Sequence, residues 1–155
     1  MAKEIERKYL VTDDSYKSSA IRKTVIRQGY LSTDPDATVR IRIAGEKAYI
    51  TIKSRNEGCV RNEWEYPVPT EDALQMLGCC KGRTIEKTRY IVPAGHDNLK
   101  WEVDEFHGRH DGLVLAEIEL PSEGYGFALA PFVGNEVTGD PRYYNSALSE
   151  ASSES

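Results

Sequence analysis

Six stretches of the chain carry ionic side chains at a spacing of two residues, and a seventh places one lysine in the same pattern. Glu4 and Glu6 precede Lys8, Arg40 precedes Arg42, Glu63 precedes Glu65, Lys87 precedes Arg89, Glu102 precedes Asp104 and Glu117 precedes Glu119. Lys53 follows Tyr49 and Thr51 at the same interval. Alternate residues of an extended strand share a face, so each pair points one way while neighbours such as Val39, Ile41 and Ile43 point the other. Carboxylates are hard oxygen donors suited to Mg²⁺ or Mn²⁺. Guanidinium and ammonium groups suit phosphate oxygens, and an arginine can grip two at once.

Any one of these strands is most simply an antiparallel strand with a solvated face. Seven together differ, because the polar faces are almost purely ionic and come in pairs of one sign. Like charges held at fixed spacing repel unless something of opposite charge lies between them. A sheet closed with this face inward would form a charged cavity, and its apolar alternates would face outward beneath helices and loops. A polyphosphate carrying a divalent metal would satisfy both the eight acids and the cations Lys8, Arg40, Arg42, Lys53, Lys87 and Arg89.

The elements that must position these groups follow from the same alternation. Strands are predicted over 3–11, 26–32, 37–45, 47–54, 60–68, 84–92, 100–106 and 112–120, which implies a largely antiparallel sheet, closed or nearly so. Thr33-Asp34-Pro35-Asp36, Gly45-Glu46 and Asn56-Glu57-Gly58 supply turn residues between them. Short helices are predicted around 15–22 behind Asp13 or Asp14, over 71–77 behind Thr70 with Gly78 as its stop, weakly near 122–130, and over 140–148 with Pro141 at its first position. The fold class is therefore mainly β with a few peripheral helices. One domain over 1–148 and a disordered tail over 149–155 account for the whole chain.

Composition narrows the function. With 155 residues the chain fits one domain, and 39% hydrophobic with 29% charged residues excludes both a disordered and a membrane-embedded class. Twenty Lys plus Arg against 25 Asp plus Glu leave a net charge of −5, so the overall field repels nucleic acid and anionic lipid. An anion must be bound by a local cluster of cations. Cys59, Cys79 and Cys80 are odd in number and lack a Cys-x-x-Cys spacing, which argues against a disulfide framework or zinc site. His96, His107 and His110 lie in a Gly- and Asp-rich stretch and read as surface-loop residues before metal ligands. No segment resembles a secretory leader or a membrane span, and a reducing cytoplasm is expected. The expected partner is a small-molecule polyphosphate rather than nucleic acid or membrane, and a homodimer is compatible with the sequence. There is no Gly-x-x-x-x-Gly-Lys-Ser/Thr loop, dinucleotide fingerprint or serine nucleophile elbow, so side chains must do the gripping.

Glu4-Ile5-Glu6-Arg7-Lys8 resembles the Glu-x-Glu-x-Lys signature of the CYTH domain, the triphosphate tunnel metalloenzymes. The resemblance continues through Arg27-Gln28-Gly29-Tyr30-Leu31, Val39-Arg40-Ile41-Arg42, Thr51-Ile52-Lys53-Ser54, Glu63-Trp64-Glu65, Glu86-Lys87-Thr88-Arg89-Tyr90, Glu102-Val103-Asp104-Glu105-Phe106 and Glu117-Ile118-Glu119. Glu136-Val137-Thr138 and Arg142-Tyr143-Tyr144-Asn145 extend it to about residue 148. It implies an eight-stranded antiparallel barrel whose tunnel binds a triphosphate with divalent metal, and it is strongest toward the bacterial inorganic triphosphatases.

The resemblance also implies that Lys8 and Tyr30 handle the attacking water. An adjacent ammonium favours the phenolate, which would make Tyr30 a base. Arg40, Arg42, Lys53, Lys87 and Arg89 are expected to hold phosphates; Glu4, Glu6, Glu117 and Glu119 the main metal, with Asp104 serving a second ion; Glu63, Glu65 and Glu102 support the site. Glu105 is sent outward by parity, and the loop His107–His110 receives no role. A noncatalytic polyphosphate- or nucleotide-binding module, an adenylyl cyclase and a thiamine triphosphatase are the alternatives.

Overall fold

The computed structural model describes residues 2–95 and 98–149; His96 and residues 150–155 of the expected tail lie outside them. Among the described residues nine strands form: β1 (Ala2–Val11), β2 (Arg22–Ser32), β3 (Thr38–Ala44), β4 (Lys47–Lys53), β5 (Val60–Val68), β6 (Thr84–Pro93), β7 (Lys100–Phe106), β8 (Val114–Glu119) and β9 (Val133–Glu136). Their order is β5-β4-β3-β2-β6-β7-β8-β1-β9, and an additional β5–β1 pairing closes eight of them into a barrel. All pairings are antiparallel.

Strand β1 seals the barrel by dividing one edge between two partners. Ala2–Ile5 pair with β5, and beyond them Tyr9 and Val11 pair with β9, while Glu6–Leu10 pair with β8 along the other edge. The ninth strand was not expected, and its four residues show no alternation that would announce it.

The apolar alternates face outward, as the parity rule requires. Tyr9, Tyr90, Trp101, Val103, Ala116 and Ile118 form one external core, covered by Tyr16 of α1 (Tyr16–Ser19) and by Phe132 and neighbours. Ile41 and Ala48 form a second, under Ala73, Met76 and Leu77 of α2 (Thr70–Gly78). Thr70 is the first residue of α2 rather than its cap, which is Pro69, and Gly78 is its last. No helix forms near 122–130: Gly124 and Gly126 raise its cost, and the segment packs Tyr125, Phe127 and Ala130 on the first core without regular structure.

The helix expected over 140–148 is two pieces, a 3₁₀ turn at Pro141–Tyr143 and α3 (Asn145–Leu148). Tyr144 between them is extended, with ψ 138°. That break turns the chain so that Tyr143 and Leu148 pack on Leu10, Ile85, Phe106 and Leu115. By parity these last four share the inner face with Lys8, Lys87, Asp104 and Glu117. One end of the barrel is therefore plugged with apolar side chains, and only the remainder carries charge.

Candidate active site

Moving away from the plug along four adjacent strands, each inner face changes character in the same order. Leu10 gives way to Lys8 and Glu6, Leu115 to Glu117 and Glu119, Phe106 to Asp104 and Glu102, and Ile85 to Lys87 and Arg89. The registers bring Lys8 opposite Glu117, Glu6 opposite Glu119, and Arg89 opposite Asp104. Beyond this boundary lies a cavity of about 190 Å³ lined by Glu4, Glu6, Tyr30, Arg40, Arg42, Lys53, Arg61, Glu63, Glu65, Arg89, Glu102, Glu117, Glu119 and Asn145. A larger open cleft of about 720 Å³ beside the plug carries the His107–His110 loop and includes one acid, Glu86, which pairs with Arg27 at 3.4 Å.

At the base of the cavity, Asp104 is held on both oxygens. Arg89 donates to Oδ1 at 2.8 Å and to Oδ2 at 2.9 Å, and Lys87 Nζ lies 2.7 Å from Oδ2. Burial would raise the Asp104 carboxyl, but Arg89 and Lys87 together hold it well below the carboxylate range. Burial depresses the fully enclosed Lys87 to about 7 despite Asp104, and its ammonium sits 5.4 Å above the Phe106 ring at the edge of the plug.

The wall opposite is cationic. Arg42 donates to Gln28 Oε1 at 2.8 Å but has no ion pair among the described residues, and burial with Arg40 and Arg89 nearby lowers it to about 9. Arg40 reaches Thr51 Oγ1 at 3.2 Å and Glu65 at 3.6 Å, leaving its buried Nε without a partner. Lys53 bridges Glu4 at 2.9 Å and Glu63 at 3.5 Å, and Arg61 also reaches Glu4, at 3.3 Å. Burial would raise Glu4, but Lys53 and Arg61 keep it below its usual value.

The acids of β1 and β8 are less well matched. Glu117 has Lys8 at 3.3 Å and Arg89 at 3.7 Å; these cations outweigh burial and lower it. Glu6 and Glu119 have no ion pair among the described residues. Burial, then Glu117 and Glu4, push Glu6 up to about 8. Partial burial and the carboxylates Glu4, Glu102 and Glu63 raise Glu119, at the exposed rim, to about 6. These oxygen donors fit a hard divalent cation. Among the described residues no three acids, histidines or cysteines already converge on a ready-made metal position. Such a set suits an ion like Mg²⁺, which takes one or two carboxylates and completes its shell with water and phosphate oxygens.

Tyr30 lies opposite Arg40 on β3, is 5% exposed, and its hydroxyl has no hydrogen bond among the described residues. Lys8 is within electrostatic reach of Tyr30, but its Nζ donates to the Tyr143 carbonyl at 2.9 Å and pairs with Glu117. Burial opposes the charge on Lys8, yet Glu117 and Glu6 raise it above its ordinary value. The barrel thus gathers the predicted residues, with Lys8, Lys87 and Asp104 beneath the cavity. Glu105 faces outward, where Tyr16 and Lys17 bind it.

Gln28, Arg61, Thr51 and Asn145 were not anticipated. The first three share parity with Tyr30, Glu63 and Lys53 and so were findable by the same rule; Asn145 belongs to no strand. His107 meets Thr88 Oγ1 at 2.8 Å and His110 meets the Leu148 carbonyl at 2.6 Å, both away from the cavity.

Residues 2–144 match the model of the CYTH domain. The chain is 46% identical over 149 residues to an inorganic triphosphatase of Acetivibrio thermocellus, covering 96% of this chain and 94% of that protein. It is 36% identical over 148 residues to an inorganic triphosphatase of Nitrosomonas europaea, covering 94% and 95%. A solved inorganic triphosphatase superposes with a TM-score of 0.69 at 35% identity, over 96% of this chain and 95% of that one. At 15% identity and a TM-score of 0.57, a Hippeastrum protein described as a putative adenylyl cyclase with dominant triphosphatase activity shares the fold, with 77% of this chain and 80% of that one covered.

Proposed function

Because the chain belongs to the CYTH domain family, we infer that it is a metal-dependent hydrolase that cleaves inorganic triphosphate to diphosphate and phosphate inside the barrel. One observation carries this reading. A single small cavity holds, on one wall, Arg42 without an ion pair and the Arg40 Nε without a hydrogen-bond partner and, on the other, Glu6 and Glu119 without an ion pair, all among the described residues. A metal–triphosphate complex supplies both missing signs at once.

Arg40, Arg42 and Lys53 grip the phosphates, and Arg89 reaches the same space while anchored on Asp104. Lys87 acts from below by fixing Asp104. Beneath the cavity and paired with Arg89 and Lys87, Asp104 serves as a buried counter-ion rather than a ligand for a second ion. Glu6 and Glu119, with Glu4 and Glu117, would hold Mg²⁺ or Mn²⁺, and Glu63, Glu65 and Glu102 keep the cations aligned. The metal, when bound, neutralises phosphate charge that develops as the anhydride breaks. Tyr30 takes the proton of a water that attacks the terminal phosphorus as the bridging P–O bond breaks and diphosphate departs. Lys8, kept charged by Glu117 and Glu6, stands within electrostatic reach of Tyr30.

The cavity volume favours a compact substrate. At about 190 Å³ it lies below the roughly 300 Å³ at which sites for organic ligands begin, so it suits a compact inorganic anion better than a whole nucleotide. A neighbouring cleft of about 390 Å³ shares Arg61 with it and includes Tyr144. An organic leaving group would lie there, which makes nucleoside triphosphates the competing substrates. Phosphate release from tripolyphosphate, ATP and thiamine triphosphate, each with Mg²⁺ or Mn²⁺, separates the readings. Tripolyphosphate is expected to be strongly preferred, and equal turnover of ATP would overturn the assignment. A cytoplasmic location belongs to the same reading; among the described residues no helix is long and apolar enough to cross a membrane.

A further inference from the structure

Asn145 is the one cavity residue contributed by the C-terminal segment rather than by a barrel strand. Its Oδ1 accepts from Lys87 Nζ at 2.7 Å and from Gln28 Nε2 at 3.2 Å. Arg42, which can only donate, takes Gln28 Oε1, so Gln28 presents its Nε2 and the Asn145 atom that faces it is the oxygen. The Nδ2 group is therefore turned away from Lys87. It has no hydrogen-bond partner among the described residues, and it is not one of the atoms sealed in protein without a partner. Asn145 lines the charged cavity together with Tyr30, Arg40 and Arg42.

We propose that Asn145 is a substrate-binding residue, its Nδ2 donating to a phosphate oxygen of the bound triphosphate while Lys87 and Gln28 hold its other end. The proposal rests on the triphosphatase reading of the cavity. It explains why the C-terminal helix breaks at Tyr144: a continuous helix would not be free to turn Asn145 into the barrel, whereas the extended residue lets Lys8 take the Tyr143 carbonyl and Lys87 take Asn145. Two lysines of the ionic layer thereby set the position of one uncharged donor. An amide can bind phosphate without adding charge that Asp104 and Glu117 would have to balance.

Asn145→Asp discriminates this role from a structural one. The carboxylate keeps an oxygen for Lys87 and Gln28, so the thermal midpoint should not fall, but it replaces the donor with an acceptor aimed at phosphate. The KM for tripolyphosphate is expected to rise roughly 10–100-fold, the cost of losing a hydrogen bond to a charged group, with a smaller change in kcat. An unchanged KM would overturn the proposal, since a purely structural Asn145 tolerates this exchange. Should the variant unfold, the wild-type carboxamide resonance of Asn145 decides: titration with tripolyphosphate, metal withheld, should shift it, and an unmoved signal refutes the contact. Wild-type turnover measured alongside tests the triphosphatase reading separately.

Discussion

Glu6 and Arg42 line one cavity, and neither has an ion pair among the described residues. Burial with neighbouring carboxylates lifts Glu6 to about 8, and burial with neighbouring guanidiniums lowers Arg42 to about 9. Each shift opposes charge on its own group. A ligand that is cationic toward one wall and anionic toward the other removes both penalties.

The acidic wall makes the metal-free protein pH-sensitive. Glu6 titrates near 8 and Glu119 near 6 when folded, against an ordinary 4.5 for each, so between these values the native state holds protons that the unfolded chain has released. Stability then falls as pH rises. Lys87 acts in the opposite direction, but only above about 7. The urea midpoint of metal-free protein should decline from about pH 5 to about pH 7, and excess Mg²⁺ should flatten the decline. A midpoint that is level without metal contradicts this account of Glu6 and Glu119.

Asp104→Asn removes the charge shared by Arg89 and Lys87. Breaking a buried ion pair from one side costs ~3–5 kcal/mol, to be read from urea unfolding. Tripolyphosphate should restore part of the loss by supplying anionic charge to Arg89. A loss under ~1 kcal/mol would show that the pair contributes no more than a surface one.

Tyr30→Phe keeps the ring and deletes the hydroxyl. As proton acceptors typically contribute 10²-fold or more, kcat should drop roughly 100-fold while KM stays within about threefold. An unchanged kcat removes Tyr30 from the proton transfer.

Gly29 lies against Cys80, whose Sγ would be 2.7 Å from an added Cβ. Gly29→Ala should destabilise by ~1–3 kcal/mol through overpacking. Pairing it with Cys80→Ala should recover part of that cost, as a double-mutant cycle would show; strictly additive losses would exclude the contact.

The barrel was legible because its registers obey the period-two rule: Arg40 and Arg42 face inward for the same reason that Ile41 faces α2. Glu105 was placed outward on parity alone, and it lies there beneath Tyr16. The plug was less visible, since Leu10, Ile85, Phe106 and Leu115 share parity with charged residues and only the closed barrel shows that they form one layer. Strand β9 and the break at Tyr144 were not legible. Val133–Glu136 becomes a strand because β1 has an edge left open beyond β5, and Tyr144 is extended where flanking groups are drawn to Lys8 and Lys87. Both are tertiary effects with no local sequence signal.

Isothermal titration with a non-hydrolysable imido analogue of triphosphate, with and without Mg²⁺, tests the two-sided cavity most directly. Analogue and metal together should bind at least roughly tenfold tighter than the analogue alone, with the gain lost in Glu6→Gln. Equal affinity with and without metal, or no heat in either case, would contradict the claim that one ligand completes both walls.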